Sequence, residues 1–420
     1  MEQADLFGTD PKYRYRPLWS IGLSWNVSNE PFMQAYEWVD MLKLRMTYGI
    51  TGNVDQNSSP YLIGNYSTSS VTNAQITDIL TPPNRLLRWE KTSTFNFGVD
   101  FALWNRLNGS LEVYRRYSSD LLANKTLDPS TGFDMARVNN GAMKNVGFEA
   151  SLSYDWLRHG DWRLNTTLTA SFNKNTIEEV GYTPSSASDM LTDPYNNYLQ
   201  GDAYGTVYAY RYAGLDANGD PSVYNENGEV VSNVNVDNIA ALVAKGQLTP
   251  KWQGALNIDL SWKSLSLFTK IVYYTGHSLR NEVTPLYRSL FDRTSGTTVG
   301  AIHEDIARRW TPDNTETDIP RMGLHEGYET FRNQQWKYAD AHVLSASFLK
   351  VRNIGLSYTL PARIIAPWGL QSVRLHAQVD NPFYWAASGH GIDPERFDAN
   401  LGSRSYTQLT SYMLGLTVNF

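Results

Sequence analysis

Few residues in this sequence are spaced for chemistry. His303-Glu304-Asp305-Ile306-Ala307 begins like a zinc-protease helix, in which two histidines hold the metal and a glutamate between them is the general base. Alanine stands where the second histidine belongs, so that site is rejected. Asp216-Ala217-Asn218-Gly219-Asp220 spaces its oxygens like the start of a calcium loop. The glycine needed next is Pro221 and the closing glutamate is Asn227, which favours a structural turn and leaves a looser metal site open. No nucleophile elbow, phosphate-binding loop or dinucleotide fingerprint occurs, and the seven histidines are scattered. With zero cysteines, disulfides, thiolate metal sites and thiol nucleophiles all drop out. The chain is therefore expected not to be an enzyme, with no catalytic, cofactor or metal residues. What remains are tyrosines in connecting segments, Tyr195, Tyr198, Tyr208 and Tyr210, whose rings could stack on sugars.

Such side chains need a scaffold, and the composition limits which one. Tyrosines number 26 and tryptophans 13, charged residues make up only 19%, and the formal net charge is −6. No basic block stands out, so nucleic acid is not an expected partner. Mean hydropathy is −0.42, and no apolar run approaches the about 18 residues a spanning helix needs. A β-barrel escapes that exclusion, because its strands alternate lipid-facing and lumen-facing residues and look only half hydrophobic.

Period-2 alternation is the dominant pattern. Over Arg16 to Ser28, Trp19, Ile21, Leu23, Trp25 and Val27 alternate with polar residues; over Asn145 to Trp156, Val146, Phe148, Ala150, Leu152, Tyr154 and Trp156 do the same. Segments starting at Trp162 and at Trp252 repeat it, as do Val39–Thr51, Thr92–Trp104, Leu107–Ser118, Leu265–Thr275, Ala346–Leu360, Ser372–Asn381 and Gln408–Phe420. The alternation slips near Val351–Ile354, which predicts a bulge. These segments have the about 9–11 residues of a tilted membrane strand, where soluble strands average about 5–6. Tryptophans gather at their ends, as in the aromatic girdles of outer-membrane barrels. Lys43, Arg45, Glu149, Arg163, Asp259, Arg374, His376 and Asp380 fall on the other face, which marks it as a hydrated lumen.

Connections alternate short and long, as periplasmic turns and extracellular loops do. With Phe420 and the C-terminus placed in the periplasm, counting backwards gives eleven spanning strands. It leaves 174–250 and 276–345 as long extracellular loops, and Tyr204–Ala213 as an extended segment within the first. Single-chain bacterial barrels have even strand numbers, and eleven is half of the 22 in the large plugged ones. The first residues carry no signal peptide, so one is expected upstream. The chain ends on Tyr412, Leu414, Leu416, Val418 and Phe420 in alternation, which resembles the signal read by the outer-membrane assembly machinery.

Five segments in order, MLKLRMTYGITGN (41–53), LLRWEKTSTFNFGVDFAL (86–103), KNVGFEASLSYDW (144–156), SFLKVRNIGLSYTLP (347–361) and NPFYWAASGHGIDPE (381–395), resemble the C-terminal half of TonB-dependent outer-membrane transporters of the SusC/RagA type. The resemblance covers nearly the whole chain, 1–420. It implies an all-β fold: the C-terminal half of an antiparallel transmembrane β-barrel, about 11 of 22 strands, with a plug domain absent from this chain. It further implies nutrient import of an oligosaccharide or peptide across the cell outer membrane, with no cofactor. The implied partners are a SusD-like surface lipoprotein, the TonB–ExbB–ExbD complex and outer-membrane lipid. The fragment alone is not expected to transport. The competing reading is a passive outer-membrane pore or structural barrel without energy coupling. A barrel enzyme and a soluble carbohydrate-binding β-protein are the more distant ones.

Overall fold

The computed structural model describes residues 17–420 apart from 56–57, 134, 185, 284–285, 287–303, 324–329 and 401. His303 and much of segment 276–345 thus lie outside the described residues. A single antiparallel sheet of eleven strands dominates, each strand beside its neighbour in chain order. They are β1 (Trp19–Asn26), β2 (Val39–Asn53), β3 (Glu90–Leu103), β4 (Leu107–Thr126), β5 (Met135–His159), β6 (Trp162–Glu179), β7 (Trp252–Trp262), β8 (Leu265–Thr275), β9 (Phe348–Thr359), β10 (Ser372–Ala386) and β11 (Ser411–Asn419). The all-β fold and the eleven wall strands expected from alternation are therefore present. Among the described residues β1 pairs only with β2, and β11 only with β10.

The pairing registers turn alternation into two faces. Leu152, Leu168 and Leu256 lie side by side on β5, β6 and β7, and so do Ser151, Thr169 and Ala255. The first row is apolar and outward; the second belongs to a polar face that continues through Arg45, Gly98, Glu112 and Glu149. Leucines and tryptophans that would be buried in a soluble sandwich stay open here: Ile21 is 59% exposed, Leu416 64% and Trp385 57%. Aromatic pairs mark both margins of that face. Trp19–Tyr48 and Phe172–Trp252 sit at one end, with centroids 5.6 and 4.8 Å apart. Trp38–Trp104 and Trp162–Trp262 stack at the other, both at 5.5 Å.

The tight turns explain where strands reverse. Between β3 and β4, Trp104 and Asn105 both take left-handed φ, at 54° and 52°, the mirror-image turn that suits strand twist. Tryptophan is a poor residue for that region, and neighbours hold it there. The Trp104 amide donates to the Trp38 carbonyl at 2.9 Å, under the stacked ring of Trp38.

Several boundaries differ from the sequence expectation. β4 and β5 run on to Thr126 and from Met135, so that most of 119–144 is a projecting hairpin and not a loop. The polar run Ser118-Ser119-Asp120 hides this; the register shifts there, and Asp120 takes φ 57°. The extension then buries Leu122 against Leu87 and Trp89. β6 likewise continues to Glu179. β10 passes through Pro382, which lacks the N–H a ladder needs. It is tolerated because the β9–β10 register breaks there, with Asn381 and Pro382 together opposite the single residue Arg352, itself the extra residue against β8 at the predicted bulge. The ends shrink instead: β1 stops at Asn26, where a 3₁₀ turn begins, and β11 starts at Ser411.

Outside the wall, 186–247 folds into a small unit. Helix α1 (Ala187–Thr192), the pair Thr206–Tyr210 with Leu242–Gln247, and a three-stranded sheet surround a core of Met190, Leu191, Tyr208, Tyr210 and Val223. A further hairpin, Ile63–Thr68 with Gln75–Thr81, stands in the connection after β2.

The face assignment is testable. Leu168→Arg, on the outward face at mid-strand, lowers stability by about 2–4 kcal/mol in urea titrations of the protein in lipid vesicles. Ser171→Arg, whose charge stays on the wet side, costs much less. Equal losses would refute the assignment.

Candidate functional site

The polar face is built as a charged wall. Arg45 from β2 donates to Asp100 of β3 at 2.7 and 2.8 Å and to Glu112 of β4 at 2.7 Å. Asn96 donates to the second oxygen of Glu112 at 2.9 Å. Gly98 makes room for this network, since a Cβ there would lie 3.2 Å from the Arg45 guanidinium. Nearby, a cavity of about 520 Å³ is lined by Glu112, Glu149, Ser171, Gln253, Lys270 and Tyr274, contributed by five successive strands. Across the wall a second chain of hydrogen bonds runs Ser357–His376–Gln378–Asp380, at 3.2, 3.2 and 2.6 Å. Lys43, Arg163, Asp259 and Arg374 also fall on this face by register. Such a surface hydrates a passage or packs against a polar insert.

At the long-loop end a smaller cavity, about 230 Å³, opens between the β4–β5 extension, the end of β6 and the loop after α1. Its lining includes Tyr195, Tyr198, Tyr204, Glu90, Arg137 and Glu179. Tyr204 sits in the middle of the aromatic group, its ring 5.4 Å from Tyr195 and 5.8 Å from Tyr198. Burial pushes all three phenols above their ordinary range, so they remain neutral donors at physiological pH. Arg137 is engaged with Asp55 at 3.4 Å.

The four tyrosines singled out from sequence thus separate into two pairs. Tyr195 and Tyr198 line this cavity; Tyr208 and Tyr210 are 3% and 1% exposed, in the core of the small unit, and offer no face to a ligand. Tyr208 donates to Asp202 at 2.6 Å and Tyr210 to the Val236 carbonyl at 2.8 Å. Sequence reading passes over Tyr204 because Tyr204–Ala213 looks like one strand. The strand begins at Thr206, so Tyr204 belongs to the loop.

The remaining polar clusters have structural roles. Asp216 accepts from the amides of Asn218 and Asp220 at 2.8 and 2.9 Å, closing a turn. The Asp220 carboxylate faces Arg321 at 2.8 Å and the buried Arg332. Lys350, 2% exposed, joins Asp393 and Glu395 at 3.0 Å each, and Arg352 completes the group. Arg280, 1% exposed, reaches the Tyr208 carbonyl at 2.9 Å and lies over the Tyr338 ring.

A wall of outward leucines between two aromatic belts, polar within, is that of an outer-membrane β-barrel. Residues 2–381 match the TonB dependent receptor-like β-barrel family, and the chain belongs to that family. It is similar to TonB-dependent receptor P26 of Formosa agariphila, 27% identical over 456 residues, covering 99% of this chain and 43% of that protein. TonB-dependent receptor SusC of Bacteroides thetaiotaomicron is 26% identical over 449 residues, covering 96% and 40%. Among solved structures, the RagAB peptide transporter superposes on the whole chain with a TM-score of 0.78 and 26% identity, over 45% of its own chain. The chain therefore spans less than half the length of the relatives it matches.

Two outcomes follow. Tyr208→Phe leaves Asp202 without its donor and costs about 1–3 kcal/mol, read as faster amide exchange across 187–247, whereas Tyr195→Phe stays within about 0.5 kcal/mol. His342, buried and close to Arg280, has its pKa pulled from 6.5 to about 4. Above 6.5 the imidazole is neutral whether folded or unfolded and contributes nothing to pH dependence. As pH falls from 6.5 to 4 the unfolded chain takes up the proton first, so stability drops, by about 3 kcal/mol at most. His342→Gln should flatten that acid slope in proteolysis assays; an unchanged slope would count against it.

Proposed function

We propose that this chain supplies wall strands and outer loops of a transporter that imports oligosaccharides or peptides across the outer membrane, driven by the TonB–ExbB–ExbD complex. The carrying observation is the family match over 2–381, joined to a whole-chain likeness to the RagAB peptide transporter. In this reading the tight turns and the C-terminus face the periplasm. Segments 174–250 and 276–345 face outward, where a SusD-like surface lipoprotein closes over them. The tyrosine cavity then lies on the substrate's way in, with Tyr195, Tyr198 and Tyr204 as stacking surfaces and the charged wall below them.

Physical reasoning supports the membrane placement of the edges as well. An unpaired strand edge in hydrocarbon costs several kcal/mol per unsatisfied group, so β1 and β11 require further strands to pair with. Residues 17–420 by themselves would not then transport. On β11 and the residue after it, Tyr412, Leu414, Leu416, Val418 and Phe420 are 80, 86, 64, 38 and 88% exposed, an apolar face available to the assembly machinery.

The test is an uptake assay. Deleting the gene should abolish uptake of a labelled oligosaccharide or peptide, and inactivating TonB should do the same with the receptor still in the membrane. Uptake that persists without TonB identifies a passive pore instead.

A further inference from the structure

Five connections join wall strands at the end where the turns are short. Those after β3, β5 and β7 need only two or three residues, whereas 27–38 and 360–371 take twelve each. A reversal between neighbouring antiparallel strands needs about two to five residues, so the longer two carry something besides the turn. We propose that 360–371 is a membrane anchor, seated in the phospholipid headgroup layer beside the wall; this rests on the barrel reading above.

The connection is compact. Helix α2 (Ala362–Ile365) continues into a 3₁₀ turn, Ala366–Trp368, which ends at Gly369 with φ 69°, a conformation glycine adopts without strain. α2 packs against β10, and its own Ile365 and β10's Val373 are both buried there, 2% and 7% exposed. The register decides which side of the wall it lies on. Val373 pairs with Val418 and shares its face with Leu375, Ala377 and Val379, the outward apolar face. Leu375, two places along that face, is 47% exposed, so the covering is local to the strand end. The connection therefore folds back over the lipid side of β10 and not into the lumen.

Its other surface points away from the protein and is apolar with one charge. Ile364 is 44% exposed and Trp368 69%, with exposed Arg363 beside them. The depth is set by the stacked pairs Trp38–Trp104 and Trp162–Trp262, which flank the tight turns at this same end. Tryptophan favours the level where its ring is in the acyl boundary and its N–H meets headgroups, and an adjacent arginine suits phosphate. The 27–38 connection also exposes aromatic rings, Phe32 at 57% and Tyr36 at 50%, so the aromatic belt stays continuous across both long turns, although its charges, Glu30 and Glu37, are acidic and offer no phosphate partner.

Residues 1–420 hold no cysteine, and any cysteine elsewhere in the full-length protein is first replaced by serine. In that background Trp368→Cys introduces a single thiol, and so does Leu168→Cys at mid-depth on the outward face. Each is labelled with an environment-sensitive fluorophore in membranes from cells producing the protein. The anchor predicts that the label at position 368 is quenched more by a shallow doxyl-labelled phospholipid than by a deep one, with iodide quenching reduced several-fold against the free dye. The label at 168 should show the reverse depth preference. Full iodide access at 368 with no lipid quenching overturns the anchor, and protection from both quenchers, the mark of a protein contact, overturns it too. Failure at 168 as well sinks the barrel reading itself. Ile364→Cys serves as the second site if the variant at 368 does not assemble.

Discussion

Backbone pairing in hydrocarbon is the constraint on which this structure depends. With no water to satisfy them, peptide groups inside a bilayer must bond to one another, each failure costing several kcal/mol. Eleven strands answer this by pairing in strict chain order, with no crossover and no exchange of partners. Once neighbouring strands are paired in register, the pleat sends every second side chain to one side. The two faces, and the separation of leucine from arginine, are consequences of that geometry. Among the described residues, the outer edges of β1 and β11 are where the sheet leaves that constraint unmet.

Charge on the inner face is arranged so that little of it stands alone. Arg45 bridges carboxylates from two other strands: the register sets it in line with Glu112 across Gly98, and Asp100 stands two residues along β3 on the same face. Charged pairs of this kind are weak sources of stability at a wet surface. Their positions across the strands instead set which chemistry the lumen presents. Beyond the membrane the logic changes. There the chain folds as a soluble protein does, around Met190, Leu191, Tyr208 and Tyr210, and pairs the buried Arg332 with Asp220, while at the loop end of β9 the buried Lys350 meets Asp393 and Glu395. Removing one partner of such a buried pair costs about 3–5 kcal/mol, so these contacts hold the loops in one arrangement over the wall.

The wall was readable from residue order because its signal is local. Alternation with period 2, tryptophans at the margins and polar turn residues each act within one strand or one turn. β7 and β8 accordingly appear at their predicted limits, Trp252–Trp262 and Leu265–Thr275. Even the slip near Val351–Ile354 announced Arg352, the extra residue of β9 against β8. Reading failed where a strand outlives its alternation. β4 crosses Asp120, and β10 crosses Pro382, since a bulge absorbs in three dimensions what looks in one like an ending.

The tyrosines show the opposite case. Tyr195, Tyr198, Tyr208 and Tyr210 are equivalent as letters, and nothing within a few residues of each separates a cavity wall from a core. The division came from distant contacts: Tyr210 meets Val236 and Tyr338, while Tyr195 and Tyr198 meet Tyr204 beside the β4–β5 extension. Strand number, facing and the margins of the membrane therefore belong to local order along the chain. Which aromatic rings stand open to a ligand was decided only by packing between segments far apart in it, because burial is a property of neighbours and not of residue type.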